Sequence, residues 1–150
     1  MKKLIIFDWG RTLYKPETEK LFPDTVEVLE SLSNKYTLAI VALATAGEEK
    51  IRERLKIIKE NNLGQYFSSI LFDIKDKDSM YVKTLKDLEV KPENVVIVDD
   101  RTIRGIKWGN KNGTATVWFQ NGKFKDELPN EDTGEPTYTI HSLSDILKYM

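Results

Sequence analysis

The stretch that decides the fold is Val95-Val96-Ile97-Val98-Asp99-Asp100-Arg101, in which four consecutive apolar residues run directly into two carboxylates. A short, continuous apolar run is typical of a strand that is covered on both faces, as in a parallel sheet. In open α/β sheets, ligands bind beyond the carboxyl ends of the strands. The Asp99-Asp100 pair is therefore predicted to lie at the edge of a sheet where a functional site forms.

Further strand candidates alternate with helical stripes along the rest of the chain. The strand candidates are Leu4–Phe7, Thr37–Leu43, Ser69–Phe72, Thr114–Phe119 and Tyr138–Ile140. Between them, apolar residues recur at three- and four-residue steps, as at Val26/Leu29/Leu32, Ile51/Leu55/Ile58, Tyr81/Leu85/Leu88 and Leu143/Leu147. This alternation predicts an α/β fold: a three-layer, Rossmann-like parallel sheet with helices on both faces.

Composition limits the chemistry that the chain can perform. Its 150 residues, 40% of them hydrophobic, are expected to form one domain over residues 1–150 without metal or disulfide support. A formal net charge of -1 offers no general basic field, so no nucleic-acid partner is expected. With no cysteine and only one histidine, His141, thiolate and histidine-cluster metal sites are excluded. Catalysis must rely on carboxylates, hydroxyls, lysines and arginines.

The N-terminal apolar run Leu4–Phe7 ends at Asp8. A signal peptide needs an apolar stretch of roughly 7–15 residues, and a membrane-spanning helix needs about 20. We therefore expect a cytoplasmic protein with no membrane partner.

Reactive side chains follow the other strand candidates as well. Asp8 and Thr12 follow the first strand, Thr45 follows the second, and Lys75 and Lys77 follow the third. Neighbouring carboxylates without histidine or cysteine favour a hard, oxygen-liking cation such as Mg²⁺, which together with a lysine suits a phosphate. A carboxylate that faces this phosphate can act as a nucleophile and form an aspartyl-phosphate.

In this order the motifs resemble the haloacid dehalogenase-like (HAD) hydrolase superfamily. Phosphatases of that family carry Asp-x-Asp-x-Thr after strand one, a Ser or Thr after strand two, a lysine before a later helix and an acidic group after strand four. The resemblance places Asp8 on the nucleophile, Thr12 on the motif threonine and Asp100, with Asp99 beside it, on the metal-binding acid. It implies Mg²⁺ bound through Asp8, the Gly10 carbonyl and Asp100.

The resemblance leaves the phosphate-binding lysine open between Lys77, which fits the spacing of small members, and Lys75, which fits members with a Lys-Pro motif. The gaps after the first and second strands are too short for the family's usual cap domain, so the implied member is capless. Such members act on macromolecular phosphoesters, or on small ones when a neighbouring subunit closes the site. The implied partner is thus a phosphorylated small molecule or a phosphoprotein, and a homo-oligomer is possible.

The sequence departs from the family pattern at the first two motifs. Gly10 stands where the second aspartate, the general acid/base, belongs, and Arg11 stands where a glycine is usual. Ala42 falls on the phosphate-binding hydroxyl of a short second strand, whereas Thr45 would supply it if the strand ran three residues longer. General acid–base catalysis typically raises a reaction rate 10²–10⁴-fold, so the missing aspartate at position 10 is expected to slow hydrolysis.

These departures leave two functional hypotheses. The first is a Mg²⁺-dependent phosphatase that favours leaving groups needing little protonation, such as acyl or aryl phosphates. The second is a catalytically weak relative that binds Mg²⁺ and a phosphorylated ligand or protein. The irregular stretch Gln120–Pro136 is interpreted either as a surface excursion or as a lid, because long loops without secondary structure are often functional.

Overall fold

The structure is a computed structural model that describes residues 2–150. All six predicted strands are present in one sheet, and two short strands form a separate hairpin. In chain order they are β1 (Leu4–Phe7), β2 (Tyr14–Lys15), β3 (Lys20–Leu21), β4 (Thr37–Leu43), β5 (Ser69–Asp73), β6 (Val95–Asp99), β7 (Ala115–Phe119) and β8 (Tyr138–Ile140). The predicted bounds differ from these by no more than one residue: β5 and β6 each end one residue later, and β7 begins one residue later.

The six-stranded sheet has the order β5-β4-β1-β6-β7-β8, and all its strands are parallel. The chain fills one side of β1 with β4 and β5 before it crosses to β6 on the other side. The strand order therefore reverses between β1 and β6. Ligands of open α/β sheets bind at such a point, which here lies beside the residues that follow Phe7 and Val98.

Helices cover both faces of the sheet, as predicted. They are α1 (Thr25–Ser33), α2 (Glu48–Glu60), α3 (Lys77–Asp87) and α4 (Lys107–Asn112). One core cluster joins the sheet to α1, α2 and the final turn, Leu143–Lys148, while the other joins it to α3 and α4. The α/β three-layer fold class is confirmed, and among residues 2–150 the connections after β1 and β4 hold only the hairpin, α1, α2 and a short turn.

Two predicted helical stripes are rotated in the structure. In α1 the buried stripe is Val28, Leu29 and Leu32, while Val26 is 41% exposed. In α2 only Ile58 is buried, and Leu55 is 44% exposed. Three-residue apolar spacing alone does not fix which side of a helix meets the sheet, because neighbouring apolar positions satisfy the same period.

The last predicted helix is a 3-10 turn over Leu143–Lys148 rather than an α-helix. Its start carries a capping box in which Ser142 and Asp145 exchange side-chain and backbone hydrogen bonds. Its buried residues, Leu143 and Ile146, are three positions apart, and this spacing is the period of a 3-10 helix.

Within residues 2–150, no helix is long and apolar enough to cross a membrane.

Candidate active site

Asp8 follows β1 at the point where the sheet order reverses. Its backbone N–H donates to the Val98 carbonyl at 3.0 Å, which ties it to the end of β6. The chain then turns sharply, because the N–H groups of Thr12 and Leu13 both donate to the Trp9 carbonyl. This turn brings the buried Thr12 hydroxyl within 3.5 Å of Asp8 Oδ2, so Thr12 lies beside the carboxylate that the sequence singles out.

Lys77 is the first residue of α3, which begins after Asp76 accepts a hydrogen bond from the Ser79 N–H. Its ammonium group lies 3.1 Å from Asp8 Oδ1 and 2.7 Å from Asp99 Oδ2, and only 4% of its side chain is exposed. Lys75 is exposed and, within residues 2–150, makes no ion pair with Asp8, Asp99 or Asp100. The structure therefore brings Lys77 to the carboxylates and leaves Lys75 at the surface.

Asp99 is wholly buried, and both of its carboxylate oxygens accept hydrogen bonds. Oδ2 accepts from Lys77 and from the Gly105 N–H at 2.7 Å, and Oδ1 accepts from the Arg101 N–H at 3.0 Å. A Cβ on Gly105 would lie 2.5 Å from Asp99 Oδ2, so only glycine permits this approach. Asp99 thus fixes the position of Lys77, and of the two carboxylates that contact Lys77 only Asp8 lines the cleft.

Asp8, Asp99 and Asp100 each offer a carboxylate oxygen within 4.8 Å of the others. Lys77 is the single cation that pairs with any of them among residues 2–150. Burial works against ionised Asp8, but the charge and hydrogen bond of Lys77, together with hydrogen bonds from Asp100 and the Trp9 backbone, hold the pKa of Asp8 below its usual value. Burial, together with the charges of Asp8 and Asp99, raises the pKa of Asp100 to about 10. Three ionised carboxylates would exceed the charge that Lys77 can neutralise, so Asp100 retains its proton when no cation is bound.

This donor set fits Mg²⁺, which prefers carboxylate and carbonyl oxygens. Asp99 already accepts hydrogen bonds from Lys77 and from two backbone N–H groups, and it does not line the cleft. Asp8 and Asp100, by contrast, line an open cleft together with Gly10. The Trp118 indole donates to the Asp100 backbone carbonyl at 2.9 Å and fixes the position of that residue.

Gly10 and Arg11, where the chain departs from the family's first motif, have well-defined surroundings. A Cβ on Gly10 would meet nothing closer than Arg54 Nη2, at 3.9 Å. The surroundings of Gly10 therefore leave room for a side chain. Arg11 has a φ of 59°, a left-handed conformation that costs a non-glycine residue about 1 kcal/mol or more. Its side chain is held by Glu17 at 2.8 Å and its carbonyl by Asn121 at 2.9 Å.

The candidates for the phosphate-binding hydroxyl lie in different places. Ala42 is fully buried inside β4, opposite Phe72 of β5, and does not line the cleft. Thr45 follows the end of β4, is exposed and lines the cleft. Thr45 is therefore the hydroxyl that this strand brings to the site.

The cleft itself has a volume of about 310 Å³ and is strongly cationic. Besides Asp8 and Asp100, its charged lining residues are Arg11, Arg54, Arg101, Arg104 and Lys123. Sequence reasoning singled out neither Arg54 nor Arg104. One signal was available for Arg54, because it precedes the buried Ile58 by one helical turn and so shares the face of α2 that meets the sheet.

The stretch Gln120–Pro136 folds against the site instead of extending into solvent. The Arg101 guanidinium lies 3.7 Å from the centre of the Phe124 ring and pairs with Glu127 at 3.0 Å. Glu127 also accepts from the Thr102 hydroxyl and the Ile103 N–H. Phe124 and Lys123 line the cleft, so the loop forms one of its walls.

A parallel sheet with a lysine and three carboxylates at its switch point defines a doubly wound α/β protein with an acidic candidate site. The family model for haloacid dehalogenase-like hydrolases matches residues 2–119, and the chain belongs to this family. The resemblance seen in the sequence motifs is thereby confirmed.

Two relatives are both named glyceraldehyde 3-phosphate phosphatase. The protein from Methanopyrus kandleri is 32% identical over 73 residues, which cover 49% of this chain and 31% of that protein. The protein from Pyrococcus furiosus is 38% identical over 77 residues, covering 51% of this chain and 31% of that protein. Each match thus spans about half of this chain and less than a third of the relative.

Solved structures share the fold. The HAD-hydrolase YfnB from Bacillus subtilis, described as bound to magnesium, superposes with a TM-score of 0.78 at 13% identity, covering 99% of this chain and 98% of that one. A HAD phosphatase from Thermococcus onnurineus has a TM-score of 0.67 at 26% identity, covering 87% of this chain and 58% of that one.

Proposed function

We propose that the protein is a Mg²⁺-dependent phosphatase that acts through an aspartyl-phosphate on Asp8. The observation that carries the proposal is the buried contact of Lys77 with both Asp8 and Asp99 at the switch point of the sheet. A lysine held there lowers the pKa of Asp8 and keeps its carboxylate ionised as a nucleophile. The names of the two relatives support phosphatase chemistry as the class of reaction.

Asp8, Asp100 and the Gly10 carbonyl would hold the metal. When bound, Mg²⁺ supplies positive charge that neutralises the carboxylates and stabilises the transferring phosphoryl group. Thr12, at 3.5 Å from Asp8 Oδ2, limits the rotation of the nucleophilic carboxylate. Asp99 keeps Lys77 in place and is a positioning residue, since it does not line the cleft.

The chemistry divides into two displacements at phosphorus. An Asp8 oxygen bonds to phosphorus while the bond to the leaving oxygen breaks, and the electron pair departs with that oxygen. A water molecule then bonds to phosphorus and loses a proton to solvent while the bond to Asp8 breaks, which releases inorganic phosphate and restores the carboxylate. Lys77, and Thr45 at the end of β4, would hold the phosphoryl oxygens during both steps.

Gly10 determines which substrates suit this site. No carboxylic acid stands at position 10 to protonate a departing alkoxide or to activate water. The leaving groups of acyl and aryl phosphates, a carboxylate and a phenolate, depart without protonation by a strong acid. Acyl and aryl phosphates are therefore the expected substrates. Glyceraldehyde 3-phosphate is an alkyl ester, so we expect slow turnover of it despite the names of the relatives.

A larger groove of about 940 Å³ adjoins the cleft and shares Arg11 and Lys123 with it. Its floor includes Phe22 and Phe119, and its rim carries further lysines. Its lining does not include Asp8 or Asp100. It offers room for the non-phosphate part of a small molecule or of a phosphoprotein segment.

The test is phosphate release from acetyl phosphate and p-nitrophenyl phosphate, with and without Mg²⁺. Asp8→Asn should abolish Mg²⁺-dependent release. Asp78→Asn, the same substitution at an exposed position of α3, should leave it unchanged. Phosphate binding without release in either protein would favour the alternative function, a catalytically weak protein that binds Mg²⁺ and a phosphorylated ligand.

A further inference from the structure

The two cations that sequence reasoning missed, Arg54 and Arg104, differ from their neighbours in the cleft. Arg11 and Arg101 also line it, but each is paired with a carboxylate, at 2.8 and 3.0 Å respectively. Within residues 2–150, no carboxylate lies within ion-pair distance of Arg54 or Arg104. Two half-buried guanidinium groups therefore line one small cavity with their charge available to a ligand.

Arg54 is held in place without being neutralised. Its Nη1 donates to the Leu43 carbonyl at 2.6 Å, and its guanidinium lies 5.6 Å from the centre of the Phe72 ring. Its other terminal nitrogen, Nη2, lies 3.9 Å from the place of a Cβ on Gly10. An anchored guanidinium loses little freedom on binding an anion, and it can present two parallel donors.

The position of these arginines relative to Asp8 indicates which part of a substrate they would meet. The side chain of Asp8 is 12% exposed and Asp100 is 2% exposed, so both lie at the floor of the cleft. Arg54 and Arg104 are less buried and line its wall. In an in-line displacement the leaving oxygen points away from the nucleophile, and hence away from the buried Asp8 into the cleft that the two arginines line.

We propose that Arg54 and Arg104 form a second anion subsite on the leaving-group side of Asp8, and that the preferred substrate is a phosphoanhydride. This inference rests on the proposed phosphatase function. The leaving group of a phosphoanhydride is itself a phosphate, which the two guanidinium groups would bind before, during and after the displacement. The absence of an acid at Gly10 then has a reason, because such a leaving group departs without a proton.

The step balances without any further reactant. An Asp8 oxygen bonds to the terminal phosphorus as the bond from that phosphorus to the bridging oxygen breaks. The electron pair stays on the bridging oxygen, which becomes a terminal oxygen of the departing phosphate. Arg54 and Arg104 stabilise the charge that develops there, and water later releases the phosphoryl group from Asp8.

The test compares binding of methylenediphosphonate, which cannot be hydrolysed, with binding of inorganic phosphate, by calorimetry at a fixed concentration of free Mg²⁺. The wild-type protein should bind the diphosphonate more tightly. Arg54→Gln should weaken that binding about tenfold or more and weaken phosphate binding much less. Arg104→Gln should also weaken binding of the diphosphonate. The Arg104 side chain makes no hydrogen bond within residues 2–150, so its replacement should not alter the stability of the fold.

Arg52→Gln is the matched control, because Arg52 is an exposed arginine on the same helix and lies outside the cleft. It should leave both affinities unchanged. Equal affinity of the wild-type protein for the two probes, or equal losses for both probes in Arg54→Gln, would overturn the subsite.

Turnover separates this inference from the function on which it rests. With pyrophosphate, Arg54→Gln should lower kcat/KM at least tenfold, while kcat/KM for p-nitrophenyl phosphate should change less than about threefold. If Asp8-dependent turnover exists but both substrates lose equally, the subsite is wrong and the phosphatase stands. If no Asp8-dependent turnover exists while the diphosphonate preference depends on Arg54, the phosphatase is wrong and the anion subsite stands.

Discussion

Lys77 Nζ lies 3.1 Å from Oδ1 of Asp8, although the two residues are 69 positions apart in the chain. The contact exists because β1 and α3 place their termini at the same edge of the sheet, beside the end of β6. Asp99 holds the other side of the same ammonium group at 2.7 Å. The site is thus a product of the parallel topology, and its stability and its chemistry depend on the same few charges.

Replacing Lys77 by methionine should destabilise the fold. The substitution leaves Asp8 and Asp99 buried without a cation, and breaking a buried ion pair from one side typically costs about 3–5 kcal/mol. Urea unfolding followed by circular dichroism measures the loss. Lys75→Met, at the exposed alternative position, should change the free energy of unfolding by less than about 0.5 kcal/mol. Equal losses of stability in the two variants would contradict a stabilising role for the Lys77 ion pairs.

Asp100→Asn should stabilise the metal-free protein. The substitution removes one of three crowded carboxylates, and we expect a rise in Tm of about 2–4 °C, the shift that roughly 1 kcal/mol produces in a domain of this size. Mg²⁺ should raise the Tm of the wild-type protein by mass action and have little effect on the variant. A Tm of Asp100→Asn below that of the wild type, or an undiminished response to Mg²⁺, would contradict the proposed ligand set.

Gly10→Asp should widen the range of substrates. The backbone accepts a side chain there, since a Cβ would meet only Arg54 Nη2 at 3.9 Å. A positioned acid typically contributes about 10²–10⁴-fold, and we expect about tenfold for an alkyl phosphate such as glycerol phosphate, because Arg54 would hold the new acid ionised. Gly10→Asn, which has the same shape without the proton, should give no gain. A gain of equal size in both variants would mean that shape, not acid catalysis, limits turnover.

The contact between Glu127 and Arg101 should make part of the stability depend on pH. Burial opposes ionised Glu127, but hydrogen bonds from Arg101 outweigh it and hold the pKa of Glu127 below its usual value. A carboxyl with a lowered folded-state pKa contributes stability that is present above its unfolded pKa, about 4.3, and is lost as the pH falls through the folded value.

Glu127→Gln should accordingly cost about 1–2 kcal/mol at pH 7, the range for hydrogen bonds to a charged group at a partly exposed site. The difference between wild type and variant should stay constant down to about pH 5 and shrink below about pH 4. Urea unfolding across this range measures it. A difference that does not change with pH would show that shape and not charge fixes the loop over the cleft.

The sheet could be predicted from the sequence because its strands are continuous apolar runs, and such runs have few other uses in a short chain. The hairpin of β2 and β3 could not, since two-residue strands have no periodicity to detect. Asp8, Thr12 and Lys77 could be proposed as site residues from the sequence because each follows a strand. Arg54 was not found, because it lies in the middle of a charged helix and reaches the site only through the packing of α2.

The contacts of the loop Gln120–Pro136 could not be predicted from the sequence either. Its composition indicates an irregular segment, and that is what the structure contains apart from one short turn at Gly122–Phe124. Its attachment to the site depends on single long-range contacts, such as Phe124 on Arg101 and Glu127 with the same guanidinium. No local pattern encodes contacts of that kind.

The most direct test of the central claim is to look for the phosphoryl group on Asp8. Since Gly10 leaves no side chain to activate water, the aspartyl-phosphate should persist after mixing with acetyl phosphate and Mg²⁺. Acid quenching followed by mass spectrometry of the peptides should find one added phosphoryl group on Asp8 in the wild-type protein and none in Asp8→Asn. Mg²⁺-dependent phosphate release with no phosphoryl group on Asp8, or with one on another residue, would contradict Asp8 as the nucleophile.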